Sequence, residues 1–303
     1  KNNKEFASKK KTDYWNQVDV YVGGQEHATG HLLYSRFWTN FLYDIGSISF
    51  KEPFKNMKNQ GMILGSDSRK MSKRWGNVIN PDDIVSLYGA DTLRVYEMFM
   101  GPFDQMLPWS TESIIGSRRF LEKVWRLADR ITNTPKISNV DFSTKNSFEI
   151  LLNKTIKKVT EDIENFAFNT AISTMMIFVN EADSFVSNGN KISKEDFKKF
   201  LKVLSPFAPH LAEELWSVFG EKKTITKASW PSWDESKLAE EKIKIGIQVN
   251  GKVRSEILIS KDAKEADVKK IVLEDKNIEN WIAGKEIKRF IYVPSRIINI
   301  VVG

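Results

Sequence analysis

Apolar and polar positions divide the chain into stretches of different period. Residues 18–24 (VDVYVGG) form a short apolar run ending in two glycines, which predicts a mostly buried strand. From about Ala28 to Tyr43, the apolar residues Leu32, Leu33, Phe37, Trp38, Phe41 and Leu42 recur at helical spacing. Strand, glycine-rich turn and helix together make the α/β unit that seats a ligand at the strand's carboxyl end. Residues 50–109 lose this order. Gly61, Gly65, Asp67, Ser68, Gly76 and Asn80-Pro81 interrupt them, and one helix is expected near 82–88, with Asn80 or Asp82 as cap and Pro81 early.

Helical period returns over residues 111–219. Ile114, Ile115, Phe120, Leu121, Val124, Trp125, Ala128 and Ile131 form one apolar face. Further faces run through 151–166, 171–185 and 197–204, and after Pro209 through Leu211, Leu215 and Trp216. Amphipathic helices joined by short polar links predict a bundle. Past residues 228–234 (ASWPSWD), runs at 243–249 and 253–259 flank Asn250-Gly251, a strong hairpin signal. A helix over about 264–273 and strands over 290–293 and 297–302 complete a small α+β pattern. The expected fold class is multidomain, α/β plus all-α, with a small C-terminal α+β domain.

Composition narrows the function classes. Hydrophobic residues make up 41% and charged residues 28%, the balance of a folded domain and not of a disordered one. Cysteine is absent, which excludes disulfides and Cys-ligated zinc and fits a reducing cytoplasm. No apolar run approaches the roughly 20 residues that span a bilayer, so no membrane partner is expected. Residues 1–12 are basic with no apolar stretch behind them, unlike a secretory signal. The net charge of +7 suits a polyanionic partner, and equally a solvated lysine-rich surface. The chain opens at Lys1 without a methionine, and the natural protein is expected to start further upstream.

Two constellations carry candidate chemistry. The first is residues 23–31 (GGQEHATGH), which hold two of the three histidines, His27 and His31, four positions apart at the expected helix start. That spacing puts both imidazoles on one helix face. Gly24 permits close backbone approach to a ligand, and Glu26 offers acceptors to sugar hydroxyls. A helix-opening turn with packed histidines, a ligand site and a His-x-x-x-His metal site all remain open. The metalloprotease pattern's internal glutamate is missing. The second is Lys70-Met71-Ser72-Lys73-Arg74, between glycines and without period. Such a loop either closes over a phosphate chain, balancing charge that builds up during transfer, or is simply a solvated basic loop.

Lys-Met-Ser-Lys-Arg resembles the second signature of the class I aminoacyl-tRNA synthetases, usually Lys-Met-Ser-Lys-Ser. The following Gly76-Asn77, Asn80-Pro81-Asp82-Asp83 and Tyr88-Gly89-Ala90-Asp91-Thr92-Leu93-Arg94 continue the likeness. Residues 21–38 (YVGGQEHATGHLLYSRFW) look like the active-site segment of leucyl-tRNA synthetases. The valine and isoleucine enzymes place an aspartate after the glycine there. Residues 118–127 (RRFLEKVWRL), 205–216 (SPFAPHLAEELW), Trp230-Pro231 and 248–254 (QVNGKVR) look like later landmarks, so the resemblance covers nearly the whole chain. Arg74 departs from the usual serine and keeps the loop cationic.

The resemblance implies ATP-dependent activation of leucine and transfer to tRNA(Leu), without a covalent enzyme intermediate. It implies that residues 1–49 are the later part of a Rossmann-type catalytic unit and 50–110 the signature loop with its connecting region. It further implies a helical tRNA-binding bundle over 111–235 and a C-terminal α+β tRNA-binding domain over 236–303. By the same resemblance Lys70 and Lys73 stabilise the leaving pyrophosphate, while Met62, Leu64, Met71, Ser72 and Lys73 meet ATP. Gly24 and Glu26 meet the adenylate ribose, and His27 and His31 shape the leucine pocket. Magnesium arrives with ATP, and no protein-held metal is expected. His210 is expected to be structural. The family's first signature and its editing domain are expected upstream, in an N-terminal half that would act as partner, and the chain alone is expected to be inactive. The competing readings are a non-catalytic tRNA-binding module and a fragment of a valyl- or isoleucyl-type enzyme.

Overall fold

The computed structural model describes residues 3–133, 142–238, 242–260, 263, 265–294 and 296–303. Helix α1 (Lys9–Trp15) leads into strand β1 (Val18–Val22). The chain then passes a 3-10 turn (Gln25–His27) and a π turn (Ala28–Leu32) into α2 (Leu33–Asp44). It returns as β2 (Phe54–Lys58), parallel to β1 with Val18 opposite Phe54 and Val22 opposite Lys58. The strand, turn and helix are as expected, whereas β2 falls in a stretch expected to be irregular, and one feature of β1 is corrected. β1 is exposed where burial was expected, Val18, Val20 and Val22 being 50%, 48% and 48% accessible. Pairing with β2 satisfies one strand edge and covers neither sheet face, and burial of a face requires a second layer.

Strand β3 (Ile63–Leu64) and β4 (Leu107–Pro108) also pair in parallel, and α3 (Pro81–Tyr88) and α4 (Ala90–Phe99) lie between them in sequence. Asn80 caps α3 by accepting from the Asp82 N–H at 3.2 Å, with Pro81 at the first helical position. α4 was not foreseen. It buries Asp91, Thr92, Leu93, Val95 and Tyr96, so polar and apolar residues face inward together and no clean stripe appears. A small core of Ile84, Leu93, Tyr96, Trp109 and Ile114 holds this region, with Met71 and Ile79 packed against it.

Five helices follow, α5 (Ile114–Asn133), α6 (Phe142–Glu164), α7 (Phe168–Ser187), α8 (Lys194–Leu204) and α9 (Pro209–Val218). They share one large core in which Leu127, Leu152, Ile172, Phe178, Phe197 and Phe200 are buried, with Phe178 stacked on Phe200 at 4.6 Å. The inward stripe of α5 follows the expected face except that Ile115 and Trp125 point outward. All of this belongs to one compact unit, Lys1–Trp233.

The second unit, Asp234–Gly303, is a mixed four-stranded sheet in the order β6-β5-β8-β7. β5 (Lys242–Val249) and β6 (Lys252–Ser260) form the expected hairpin, with Asn250 and Gly251 at φ 49° and 78° as a type I′ turn demands. α10 (Glu265–Leu273) and the unforeseen α11 (Lys276–Ile282) precede β7 (Ile287–Val293) and β8 (Ile297–Val302). Ile245, Ile247, Val268, Val272, Ile278, Ile298 and Ile300 fill the core. Asn250 does more than turn the chain: its side chain exchanges hydrogen bonds with the Val302 backbone at 3.0 and 3.1 Å, tying the hairpin to β8. Among the described residues, no helix is long and apolar enough to cross a membrane.

Candidate functional site

The 70–74 loop is pinned by a clasp that the sequence reading did not single out. Asp67 accepts from the Asn77 amide at 3.0 Å and from the Arg69 backbone N–H at 3.1 Å. Asn77 in turn accepts from the Ser72 N–H at 2.9 Å and donates to the Lys70 carbonyl at 3.4 Å. One amide thus ties both sides of the loop. Gly65 leaves room for it, because a Cβ there would sit 2.7 Å from Asn77 Nδ2. The Asn77 amide, and after it the Arg69 N–H, hold the Asp67 carboxyl below its ordinary value. The available sequence signal was weak: two Asx residues in a glycine-broken segment, where such side chains bond to backbone.

Ser72 caps a short 3-10 turn, Lys73–Trp75, by accepting from the Arg74 N–H, and Gly76 closes the turn at φ 64°. Met71 anchors the loop in the small core. Arg69 and Arg74 lie over the Trp75 ring at 5.0 and 5.4 Å. Lys70 and Lys73 are exposed, and neither has an ion-pair partner among the described residues. Two free ammonium groups therefore stand on a loop of defined shape. Met62 and Leu64 lie just before it, and their carbonyls accept from the Leu107 and Trp109 N–H groups at 3.1 and 2.9 Å. At Gly61 the chain passes so close to Gln105 that a Cβ would lie 1.8 Å from its carbonyl oxygen.

The other expected cluster opens at Gly24, which is buried beneath the Glu26 carboxylate. A Cβ there would lie 2.1 Å from Glu26 Oε2. His27 Nε2 is 4.0 Å from Glu26 Oε1, and both side chains are about half exposed. His31 stacks on Tyr21 at 5.6 Å, and Tyr21 stacks on Phe54 of β2 at 4.1 Å. No hydrogen bond or ion pair among the described residues links this segment to the 70–74 loop. Val22, at the end of β1, faces Gln60, Gly61, Ile63 and Glu97 around a groove of about 300 Å³. Burial raises the Glu97 carboxyl above its ordinary value, partly offset by Arg94. Among the described residues, no group of three or more His, Cys, Asp or Glu is placed to hold a metal.

Two sequence landmarks prove to be one structural clamp. Asp91 of α4 accepts from the Leu211 N–H at 2.7 Å and pairs with His210 Nδ1 at 2.7 Å, capping α9 from another helix. Arg94, one turn on, donates to the carbonyls of Pro206 and Phe207 at 2.8 and 3.3 Å. Near the end of the bundle Glu213 accepts from Thr224 and the Ile225 N–H, and Trp230 donates to Thr160 at 2.8 Å. These residues hold the bundle together. Beside the clamp, Tyr88, Asp91, Arg118, Trp125, Arg126 and His210 line an open groove of about 540 Å³.

Comparison with known proteins matches two stretches of the chain. Residues 8–109 match the family of tRNA synthetases class I (I, L, M and V), and residues 147–271 match the anticodon-binding domain of tRNA ligase. The chain is similar to the leucyl-tRNA synthetase of Agrobacterium radiobacter, solved as a ternary complex with tRNA and LeuAMS, at 36% identity and a TM-score of 0.74. The match covers 94% of this chain and 37% of that one, so the chain spans little more than a third of its relative's length. The methionyl-tRNA synthetase of Mycobacterium tuberculosis, bound by methionyl-adenylate, shares the fold at 19% identity and a TM-score of 0.55. There the match covers 69% of this chain and 46% of that one.

Proposed function

The chain belongs to the class I aminoacyl-tRNA synthetases, joining part of the catalytic region to an anticodon-binding domain, and from that premise we propose that it is part of a leucine–tRNA ligase. In this reading the leucine carboxylate attacks the α-phosphorus of ATP, and the bond to the bridging β-phosphate oxygen breaks. Pyrophosphate leaves and leucyl-adenylate remains. A hydroxyl of the terminal tRNA ribose then attacks the leucyl carbonyl, and AMP departs. No side chain need become covalently attached. The demand on the protein is to align the reactants and to stabilise charge moving onto the leaving group.

The observation that carries the reading is the 70–74 loop, with Lys70 and Lys73 exposed and without an ion-pair partner among the described residues, on a segment locked by Asp67 and Asn77. We assign these two lysines to the leaving pyrophosphate, with magnesium arriving on the nucleotide. Met62, Leu64, Met71 and Ser72 border the nucleotide, Gly24 and Glu26 the ribose, and His27 and His31 the amino acid. The half-exposed valines of β1 and the exposed aromatic face of α2 support a further proposal. This region packs against more polypeptide of the same enzyme, and the active site is complete only with it. The helical bundle and the C-terminal unit are assigned to tRNA(Leu), and the setting to the cytoplasm.

Leucine-dependent exchange of pyrophosphate into ATP tests the assignment. The chain alone is expected to be inactive, and exchange is expected on addition of the N-terminal half. Exchange driven by valine or isoleucine and not by leucine would overturn the substrate. Vigorous exchange by the chain alone would overturn the shared active site.

A further inference from the structure

The groove beside Val22 holds one titratable side chain with no partner for it. Glu97 of α4 lines it together with Gln60, and Val22, Ile63, Met98 and Leu107 supply apolar walls. Its volume of about 300 Å³ lies at the small end of the range for small-molecule sites. Backbone fixes one side of it. The Gly61 N–H donates to the Phe103 carbonyl at 2.8 Å, and Gly61 packs directly on the Gln105 carbonyl. Along the chain, Ile63 stands between Met62 and Leu64, whose carbonyls already accept from the Leu107 and Trp109 N–H groups. Those two acceptors are spent within the fold, so side chains are left to meet polar groups in the groove.

Two such side chains are unspent. Gln60 Oε1 is buried and has no hydrogen-bond partner. Glu97 has no hydrogen bond among the described residues, and Arg94 is the charge that acts on it. The Arg94 guanidinium itself is taken by the carbonyls of Pro206 and Phe207. Strands β1, β3 and β4 and the start of α7 present only the apolar Val22, Ile63, Leu107 and Phe168 to the groove. Burial favours the neutral form of the Glu97 carboxyl. A neutral carboxyl offers one donor and one acceptor side by side. An aminopurine edge carries the complementary pair, an exocyclic amine that donates and an adjoining ring nitrogen that accepts. An ionised carboxylate still accepts from the amine, but its second oxygen then opposes the ring nitrogen's lone pair. The amine's second hydrogen matches the idle Gln60 acceptor, and the Met98 thioether suits contact with an aromatic ring.

We propose that Glu97 reads the adenine of ATP, accepting from its amine and donating to the adjoining ring nitrogen. This rests on the ATP part of the proposed function and adds to it a residue that selects the base. The test is leucine-dependent pyrophosphate exchange by the chain with its N-terminal half added, run with ATP and with purine riboside triphosphate, which lacks the amine. The wild type should show a KM for ATP about tenfold below that for the analogue, with similar kcat. Glu97→Leu should raise the KM for ATP about tenfold and shrink the preference between the two nucleotides. A merely structural role would raise both KM values together and leave the preference intact. Glu97→Gln keeps a donor and an acceptor but has no proton to lose. The wild-type KM for ATP should therefore rise as pH passes the raised carboxyl value, and that rise should be missing in Glu97→Gln. Circular dichroism checks folding of each variant. If Glu97→Leu does not fold, Glu97→Gln decides, and a pH profile parallel to the wild type overturns the proposal. Exchange by the wild type with an unchanged nucleotide preference in Glu97→Leu overturns this inference alone. Absence of leucine-dependent exchange by the assembled wild type overturns it together with the proposed function.

Discussion

In α2, Leu33, Tyr34, Phe37, Trp38 and Phe41 are 44% to 65% accessible, whereas in α7 Ile172, Met175, Phe178 and Val179 are fully buried. Both helices carry large apolar side chains at helical spacing. They differ in what surrounds them. α7 is enclosed by α5, α6 and α8, so its apolar face meets apolar faces of similar width. The side chains of α2 meet water over much of their surface. Periodicity therefore records that a face is made to be buried, and a separate, non-local fact decides whether this chain buries it. The same contrast separates the exposed β1 from the core strands β5 and β8, which are covered by α10 and α11.

The sharpest way to break that contrast is a pair of matched truncations. Phe178→Ala should cost the first unit about 3–5 kcal/mol, because it removes a buried ring and leaves a cavity. Phe37→Ala should change stability by no more than about 0.5 kcal/mol, as expected of a surface position. Urea unfolding followed by far-UV circular dichroism measures both. Equal losses would mean that α2 is packed after all.

A smaller effect tests how the two-residue clamp joins α4 to the bundle. Asp91→Ala leaves the first N–H groups of α9 without their carboxylate cap and should cost about 2 kcal/mol in the same unfolding experiment. A cost near zero would show that the cap is replaced by water.

The smallest effect concerns Glu97, on the groove between the two kinds of region. Burial raises its carboxyl above the ordinary value, so the folded chain binds that proton more tightly than the unfolded chain does. Its favourable contribution is complete below the unfolded value and is lost as pH rises through the raised folded one. Glu97→Gln should therefore be more stable than the parent at neutral pH, and the gain should fade as pH falls through the ordinary carboxylate range. Urea melts across that range measure it, and a pH-independent difference would rule out desolvation as the cause.

Much of the candidate site was legible because it lies in contiguous residues. Lys70, Ser72 and Lys73 announce a cationic loop wherever the chain folds, and Gly24 with Glu26 announces a close turn. The clasp was not legible, since nothing local says that Asn77 reaches back to Ser72 or that Asp67 reaches forward to Asn77. α4 escaped for a different reason. Its polar residues Asp91 and Thr92 are buried by partners far along the chain, which hides the stripe that periodicity looks for.

The sequence by itself determined the features that close over a few residues. These are the Asn80 cap with Pro81 behind it, the Asn250-Gly251 turn, and the apolar stripes of α5, α7 and α8. Such features depend on backbone preference and helical period, which adjacent side chains set directly. Only the tertiary structure decided that Asp91 and Arg94 grip residues 206–211, that Asn250 bonds to Val302, and that Arg254 turns onto Trp281. It alone decided also that α2 and β1 face outward. Each of these depends on which distant segment arrives beside the residue, and no local period carries that information.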